Sequence, residues 1–367
     1  MKTPVASCFI FLFVFANTVN AQKNNAIYDI VVATDGSGNY TKIQEAFDAV
    51  PENNSKQIVI FIKPGIYKEK LTLAAAKKNV KLVGESYQNT ILTYDDYAEI
   101  AGGTKKSFSV CIEADDFTAE NITFENTIDS QLPQYQKGGQ AVALMVTGDR
   151  GVFHLCKITG FQDTFYLKDN KRTYIKDCII DGTTDFIFGA GIALFENCFI
   201  SIRKDSYITA SNHEIGKSKY GFVFKDCVFM TYPKETVTNV SFGRPWGAGA
   251  NVVLVHSYEG PKIAVDGWSV WSKDPSHKAF DNWKTTFYAE YDCFGPGYQP
   301  KKRLSWTHQL TKEEASMYTK AKIFAANTTT AVPLEGDWNP VIEKDNCRSI
   351  LPSKKAKNAV ANYQKAF

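Results

Sequence analysis

The chain is 367 residues long, with 44% hydrophobic residues and 42 basic against 39 acidic side chains, a net charge of +3. That near-cancellation offers no argument for nucleic acid or an anionic membrane surface as partner. Beyond the N-terminal region no stretch is apolar for long enough to cross a bilayer.

The first residues, MKTPVASCFIFLFVFANTVNAQ, carry one early charge at Lys2, an apolar run from Cys8 to Ala16 and a small-residue end at Val19-Asn20-Ala21. This order reads as a secretory signal peptide over residues 1–21, because the run is too short for a membrane span. Residues 22–367, about 346 in number, are enough for one large core or two modest ones, and are expected to be secreted and extracellular. Cysteines follow at 111, 156, 178, 198, 227, 293 and 347. Their number is odd, so in an oxidising compartment at least one is free or paired with another molecule. Sequons at Asn39, Asn53, Asn121, Asn239 and Asn327 fit secretion but arise often by chance.

Next in the chain, TKIQEAFDAV places Ile43, Ala46, Phe47 and Val50 on one stripe with Thr41 before it, which predicts a short capped helix closing one end of the fold. From about Val80 to Ser257 a β-rich phrase recurs: NVKLVGES, FTAENITFENT, VFHLCKITGF, TYIKDCIIDG, ALFENCFIS, FVFKDCVFM and NVVLVHSY. These read as strands. Anchored on Asn121, Cys156, Cys178, Cys198 and Cys227, the steps are 35, 22, 20 and 29 residues. Such steps fit one coil of a parallel β-solenoid, with longer steps where a loop juts out. A sandwich would instead show two-residue Asn-Gly or Asp-Gly hairpin turns between the strands. The expected fold is therefore all-β, a right-handed parallel β-helix, followed by a helix over LTKEEASMYTKAKIF.

Asp163 lies seven residues after Cys156, Asp185 seven after Cys178, and Asp205 seven after Cys198. In a solenoid, equal offsets put residues on one face of neighbouring coils, about 4.8 Å apart. Spacing alone nominates three carboxylates. Asp163 and Asp185 have aromatic and apolar neighbours in GFQDTFY and DFIFG, whereas Asp205 stands beside Arg203 and Lys204 and reads as an ion-paired surface residue. Cys178 and Cys198 share a phase one coil apart, so a disulfide between them is one outcome and buried free thiols the other. Cys293 and Cys347 are a second candidate pair.

From VVATDGSGNYTKIQEAFDAVP to GWSVW and YDCFGPG, roughly Val31 to Gly297, the chain resembles the pectin methylesterases, a family of secreted pectinesterases. IKPGIYKEK, GGQAVALMV, GFQDTFY, CIIDGTTDFIFG, YITAS and FGRPW stand between in the family's order. The resemblance implies that Asp185 is the nucleophile, Asp163 the general acid and base, Gln140 and Gln162 the oxyanion hole, and Arg244 the holder of the nucleophile. It also implies that Trp246, Trp268 and Tyr166 line a sugar groove. A single catalytic domain over 22–367 is expected, without an inhibitor-like N-terminal region. Thr184 and Phe242 depart mildly from the family pattern, and the loops at Thr93 to Lys106 and SQLPQYQKGG depart more.

The chemistry stands on its own terms. Hydrolysis of a methyl ester needs a nucleophile, a proton donor for methoxide, and donors aimed at an oxyanion. Two carboxylates divide the first two roles only if their pKa values are driven apart, and an arginine on one of them does that. An oxyanion hole suits acyl transfer rather than the cationic transition state of a glycosidase. The histidines 154, 213, 256, 277 and 308 are scattered, so no metal and no cofactor is expected. A polygalacturonase, a pectate lyase and a catalytically silent polysaccharide-binding solenoid are the rivals. The expected partner is methyl-esterified pectin, met by a monomer.

Overall fold

The computed structural model describes residues 28–233, 235–326, 334–342, 360–361 and 363–365. The expected signal peptide at 1–21, Asn327 and Cys347 lie outside them. Among the described residues no helix is long and apolar enough to cross a membrane.

Among the described residues every paired strand is parallel to its neighbours, and the strands sort into three sheets of eleven, eight and seven. Successive strands of the chain pass from sheet to sheet and return to the first one coil later. This is the parallel β-helix, wound right-handed as crossovers between parallel strands of one sheet are.

What bends the chain out of the eleven-stranded sheet, on seven successive coils, is one residue in the left-handed region: Asn121, Leu155, Asp177, Asn197, Asp226, His256 and Asp292, with φ between 49° and 59°. Asn and Asp tolerate that region best among residues with a Cβ. Glu120 pairs with His154, which pairs with Lys176, and Lys176 with Glu196, so the turn residues stack. Asn121 therefore aligns with Leu155 and Asp177, not with Cys156. The first repeat anchor is Ile122, one residue later than the sequence pattern places it.

The residue after each turn points inward and builds a ladder of Ile122, Cys156, Cys178, Cys198 and Cys227, all buried. The disulfide between Cys178 and Cys198 is not formed: all six described cysteines are free thiols. Stacked parallel strands hold such side chains side by side at about 4.8 Å, beyond the usual span between bridged Cβ atoms. Instead, Cys156 N–H donates to Cys178 Sγ at 3.3 Å.

The N-terminal helix spans Ile43–Ala49 and buries Ile43, Ala46 and Phe47. Thr41 does not cap it. The carboxylate of Glu69, in the link between the strands Gly65–Lys68 and Leu71–Leu73, accepts from Ile43 N–H at 2.9 Å and Gln44 N–H at 3.3 Å, satisfying orphan donors from a distant part of the chain. The Gln44 side-chain amide bonds both backbone groups of Thr72, at 2.9 and 3.1 Å, and so covers the first strand of the seven-stranded sheet where an edge would otherwise lie open. At the other end, the expected C-terminal helix is two single turns, Lys312–Ala315 and Lys320–Ile323. Thr311 and Thr319 each supply a separate N-cap, which divides the segment. Ile323 and Phe324 still pack outside the coil, against Tyr174, Ile192 and Leu194.

On the seven-stranded sheet, Cys111, Met145, Tyr166, Phe188, Ala210 and Arg244 are in register on six successive coils. Five of them form an apolar cluster separate from the main core, joined by Trp246 and Trp271. This outward row is the floor of a groove, and it ends in a cation.

Candidate active site

Asp163 and Asp185 each precede a strand of this sheet by two residues, and those strands pair Phe165 with Ile187. The two aspartates are thus stacked on adjacent coils. Both adopt positive φ, 64° and 51°, and their N–H groups donate to the carbonyls of Thr184 at 3.0 Å and Tyr207 at 2.7 Å. The turn before Asp185 closes only over glycine: a Cβ on Gly182 would lie 2.3 Å from Phe186 Cβ.

The third coil does not continue the acidic series. Ile187 pairs with Thr209, which puts Tyr207 rather than Asp205 above Asp185. Asp205 lies on the surface, but it is not paired with Arg203. Its carboxylate accepts from the N–H groups of Thr238 at 2.6 Å and Asn239 at 3.0 Å, while Arg203 turns inward to Asp181 at 2.7 Å.

Arg244 reaches Asp185 from the next coil as a two-pronged fork. Nε donates to Oδ1 at 3.1 Å and Nη2 to Oδ2 at 2.6 Å. Its guanidinium carbon lies 4.3 Å from the ring centre of Tyr207 and 4.1 Å from that of Trp271. A planar cation between two rings, bonded at its edge, has little freedom to swing. Gly243 lets the strand carrying it come close, since a Cβ there would meet Thr209 Oγ1 at 2.0 Å.

A cavity of about 550 Å³ brings Gln140, Gln162, Asp163, Asp185, Arg244 and Trp246 together, with Phe188 and Ala210 as floor and Trp271 as wall. Among the described residues, no hydrogen bond engages the side-chain amides of Gln140 and Gln162 or the carboxyl of Asp163, so these groups are free to meet a substrate. One expected groove residue lies elsewhere. Trp268 is 2% exposed, stacked on Tyr288 at 4.3 Å and tilted on Phe242 at 5.3 Å, so it belongs to the core. Tyr166 stays on the groove floor, one coil from Phe188, and borders an adjoining cavity of about 270 Å³ rather than the catalytic one. The residues that sequence reasoning missed are Trp271, Tyr207, Lys105 and Lys106. Tyr207 becomes visible only once register is known, and Trp271 stands three residues after Trp268 in the same motif.

Burial raises the pKa of Asp163 well above the ordinary carboxylate value, and the charge of Asp185 raises it further, with Arg244 opposing. Burial also raises Asp185, against the hydrogen bonds and charge of Arg244. Arg244 therefore limits the rise at Asp185 and does not by itself hold that carboxyl low. The pair is still driven apart, since Asp185 has the fork and Asp163 has none.

The family model described as Pectinesterase matches residues 29–327. Pectinesterase 31 of Arabidopsis thaliana is 37% identical over 297 residues, covering 78% of this chain and 89% of that protein. Among solved structures, a pectin methylesterase from carrot superposes with a TM-score of 0.76 at 29% identity, covering 82% of this chain and 94% of that one. A pectin methylesterase in complex with a hexasaccharide superposes with a TM-score of 0.69 at 28% identity, covering 86% and 99%.

Proposed function

The chain belongs to the pectinesterase family, and from that premise we propose that Asp185 is the nucleophile of methyl-ester hydrolysis and Asp163 its acid and base. A carboxylate oxygen of Asp185 attacks the ester carbon of a methyl galacturonate unit. The carbonyl oxygen takes up negative charge and accepts hydrogen bonds from the amides of Gln140 and Gln162, neutral donors that add no charge to the site. Asp163, held protonated by burial beside the Asp185 charge, gives its proton to the departing methoxide, and methanol leaves. The acyl group is then an anhydride with Asp185. Water attacks it, Asp163 takes the water's proton, and the free acid and the Asp185 carboxylate are regenerated.

One observation carries this reading: two stacked aspartates of unequal environment, one forked by Arg244 and one unbonded, share a cavity with two unbonded amides. Trp246 and Trp271 offer flat apolar walls beside the floor of Phe188 and Ala210, which suits the faces of sugar rings. The relative bound to a hexasaccharide supports a polymer as substrate. The mature protein is then a secreted, monomeric, single-domain enzyme over 22–367 that meets pectin outside the cell.

The test is methanol release from highly methylated pectin by the wild type and by Asp185→Asn. The wild type should release methanol, and the variant should lose essentially all turnover while unfolding at the wild-type temperature. Equal release by the two proteins would sink the assignment of Asp185. Unsaturated products absorbing in the ultraviolet would point to a lyase, and pectin binding without methanol to a silent solenoid.

A further inference from the structure

The lip over the catalytic cavity is formed by residues 96–107, with a helical turn at Ala98–Ala101, a tighter one at Thr104–Lys106, and Gly102 and Gly103 between them at φ of 79° and 133°. Its two ends are fastened. The buried amide of Asn126 is shared among the carbonyls of Asp96, Ser107 and Val142 at 3.0, 3.2 and 3.2 Å. Ala98 N–H donates to the carbonyl of Gln140 at 2.8 Å, and Val142 N–H donates to Ser107 Oγ at 3.1 Å. The lip is thus bonded to the segment that carries one of the oxyanion donors, and whatever it presents to the cavity is held in place.

It presents two ammonium groups. Lys68 and Lys70, at the base of the lip, are paired with Asp95 and Asp96. Lys105 and Lys106 are exposed, line the cavity of Asp163 and Asp185, and have no carboxylate within ion-pair distance among the described residues. The Lys105 ammonium lies 4.8 Å from the ring centre of Tyr166 and borders both the catalytic cavity and the adjoining one. Neighbouring like charges without a counter-ion repel each other, and a bound anion relieves that repulsion.

We propose that Lys105 and Lys106 bind the free carboxylate of a galacturonate unit that has already lost its methyl group, next to the ester under attack. The proposal rests on the pectinesterase reading and deepens it. A methyl ester is neutral and offers an ammonium no comparable attraction, so this subsite distinguishes de-esterified from esterified neighbours. Turnover is thereby directed to stretches that already carry free acid. Each exposed ammonium–carboxylate pair contributes up to about fivefold in affinity, and salt weakens it.

The test is calorimetric titration of an unesterified oligogalacturonate into the wild type, into Lys105→Gln/Lys106→Gln and into Lys105→Arg/Lys106→Arg, at low and high salt. At low salt the glutamine pair should raise Kd about tenfold, the arginine pair should restore it, and high salt should shrink the difference. The methyl-esterified oligomer, titrated into the same three proteins carrying Asp185→Asn, should lose much less. An acid oligomer bound equally by the glutamine pair and the wild type would overturn the proposal. So would equal losses for acid and ester, which would make the lip a matter of shape alone. Because these titrations involve no turnover, they are separate from methanol release, whose failure would remove the hydrolytic reading by itself.

Discussion

The protein contains two sites built from the same parts, a pair of carboxylates and one arginine, and they behave differently. Near the end of the coil, Arg303 donates to both oxygens of Glu290 at 3.2 and 3.0 Å, to Glu259, and to the carbonyls of Ala264, Val265 and Gly297. All three side chains are at most 2% exposed. At the other site Arg244 forks Asp185 alone, and the carboxyl of Asp163, without a hydrogen bond among the described residues, faces a cavity. In both, burial and a like charge raise one carboxyl, Glu259 in the first and Asp163 in the second. A raised carboxyl pKa therefore does not separate scaffold from chemistry. What separates them is that one arginine's donors are spent on the protein and sealed, whereas the other leaves a proton carrier open to a ligand.

The comparison breaks if the two arginines fail in the same way. Removing one partner of a buried ion pair and leaving the rest typically costs about 3–5 kcal/mol. Arg303→Leu should show that loss in chemical denaturation, because two glutamates and three carbonyls lose their partner in a sealed interior. Arg244→Leu should lose turnover with a smaller change in stability, since Asp185 can neutralise beside an open cavity. Paired denaturation and methanol assays decide this, and the opposite ranking would end the distinction.

A sharper form concerns the unbonded groups. The side-chain amide of Gln140 has no partner among the described residues to lose, so Gln140→Ala should leave stability nearly unchanged while kcat falls by about 10² to 10³. A stability loss without that fall in kcat would return Gln140 to a structural role.

The same contrast explains what is legible in the sequence. The repeat of cysteine, turn and strand exposed the coil, and equal offsets from Cys156 and Cys178 brought Asp163 and Asp185 together, because period and offset are properties of the chain itself. Register between coils is not. Two extra residues between Ile202, which pairs with Gly182, and Thr209, which pairs with Ile187, move Tyr207 into the place that counting assigns to Asp205. Trp268 and Trp271 sit three residues apart, and which of them faces inward depends on Tyr288 and Phe242, contributed by other coils. The helix cap escaped for a similar reason, since Glu69 reaches Ile43 across 26 residues. Lys105 and Lys106 lie in a loop without a repeat, where only the fold shows what they border.

Arg244→Lys probes the fork more gently than its removal. Lysine keeps the charge but cannot bond both oxygens of Asp185 or lie flat between Tyr207 and Trp271. With the opposing hydrogen bonds weakened, burial raises Asp185 further, and the nucleophile is ionised over a narrower range at the acid end. The expected result is a fall in kcat of about tenfold to a hundredfold, little change in KM, and an acidic limb of the pH profile moved upward. An unmoved limb with unaltered kcat would make the fork dispensable.

The smallest effect expected is a gain. Asp163 has its pKa raised in the folded protein, chiefly by burial and then by Asp185, so the unfolded chain gives up this proton first as pH rises. Between the ordinary carboxylate value of 3.8 and the raised one, the folded state holds one more proton than the unfolded state, and stability falls with rising pH. The contribution is fully present below the unfolded value and is lost once pH has passed through the folded one. Asparagine does not titrate and fills nearly the same space. Asp163→Asn should therefore lack that slope, exceed the wild type in denaturation midpoint at neutral pH, and approach it below pH 3.8. Parallel curves for the two proteins across that range would mean that Asp163 gives up its proton as readily in the folded protein as in the unfolded chain, and the reason for calling it the acid would be gone.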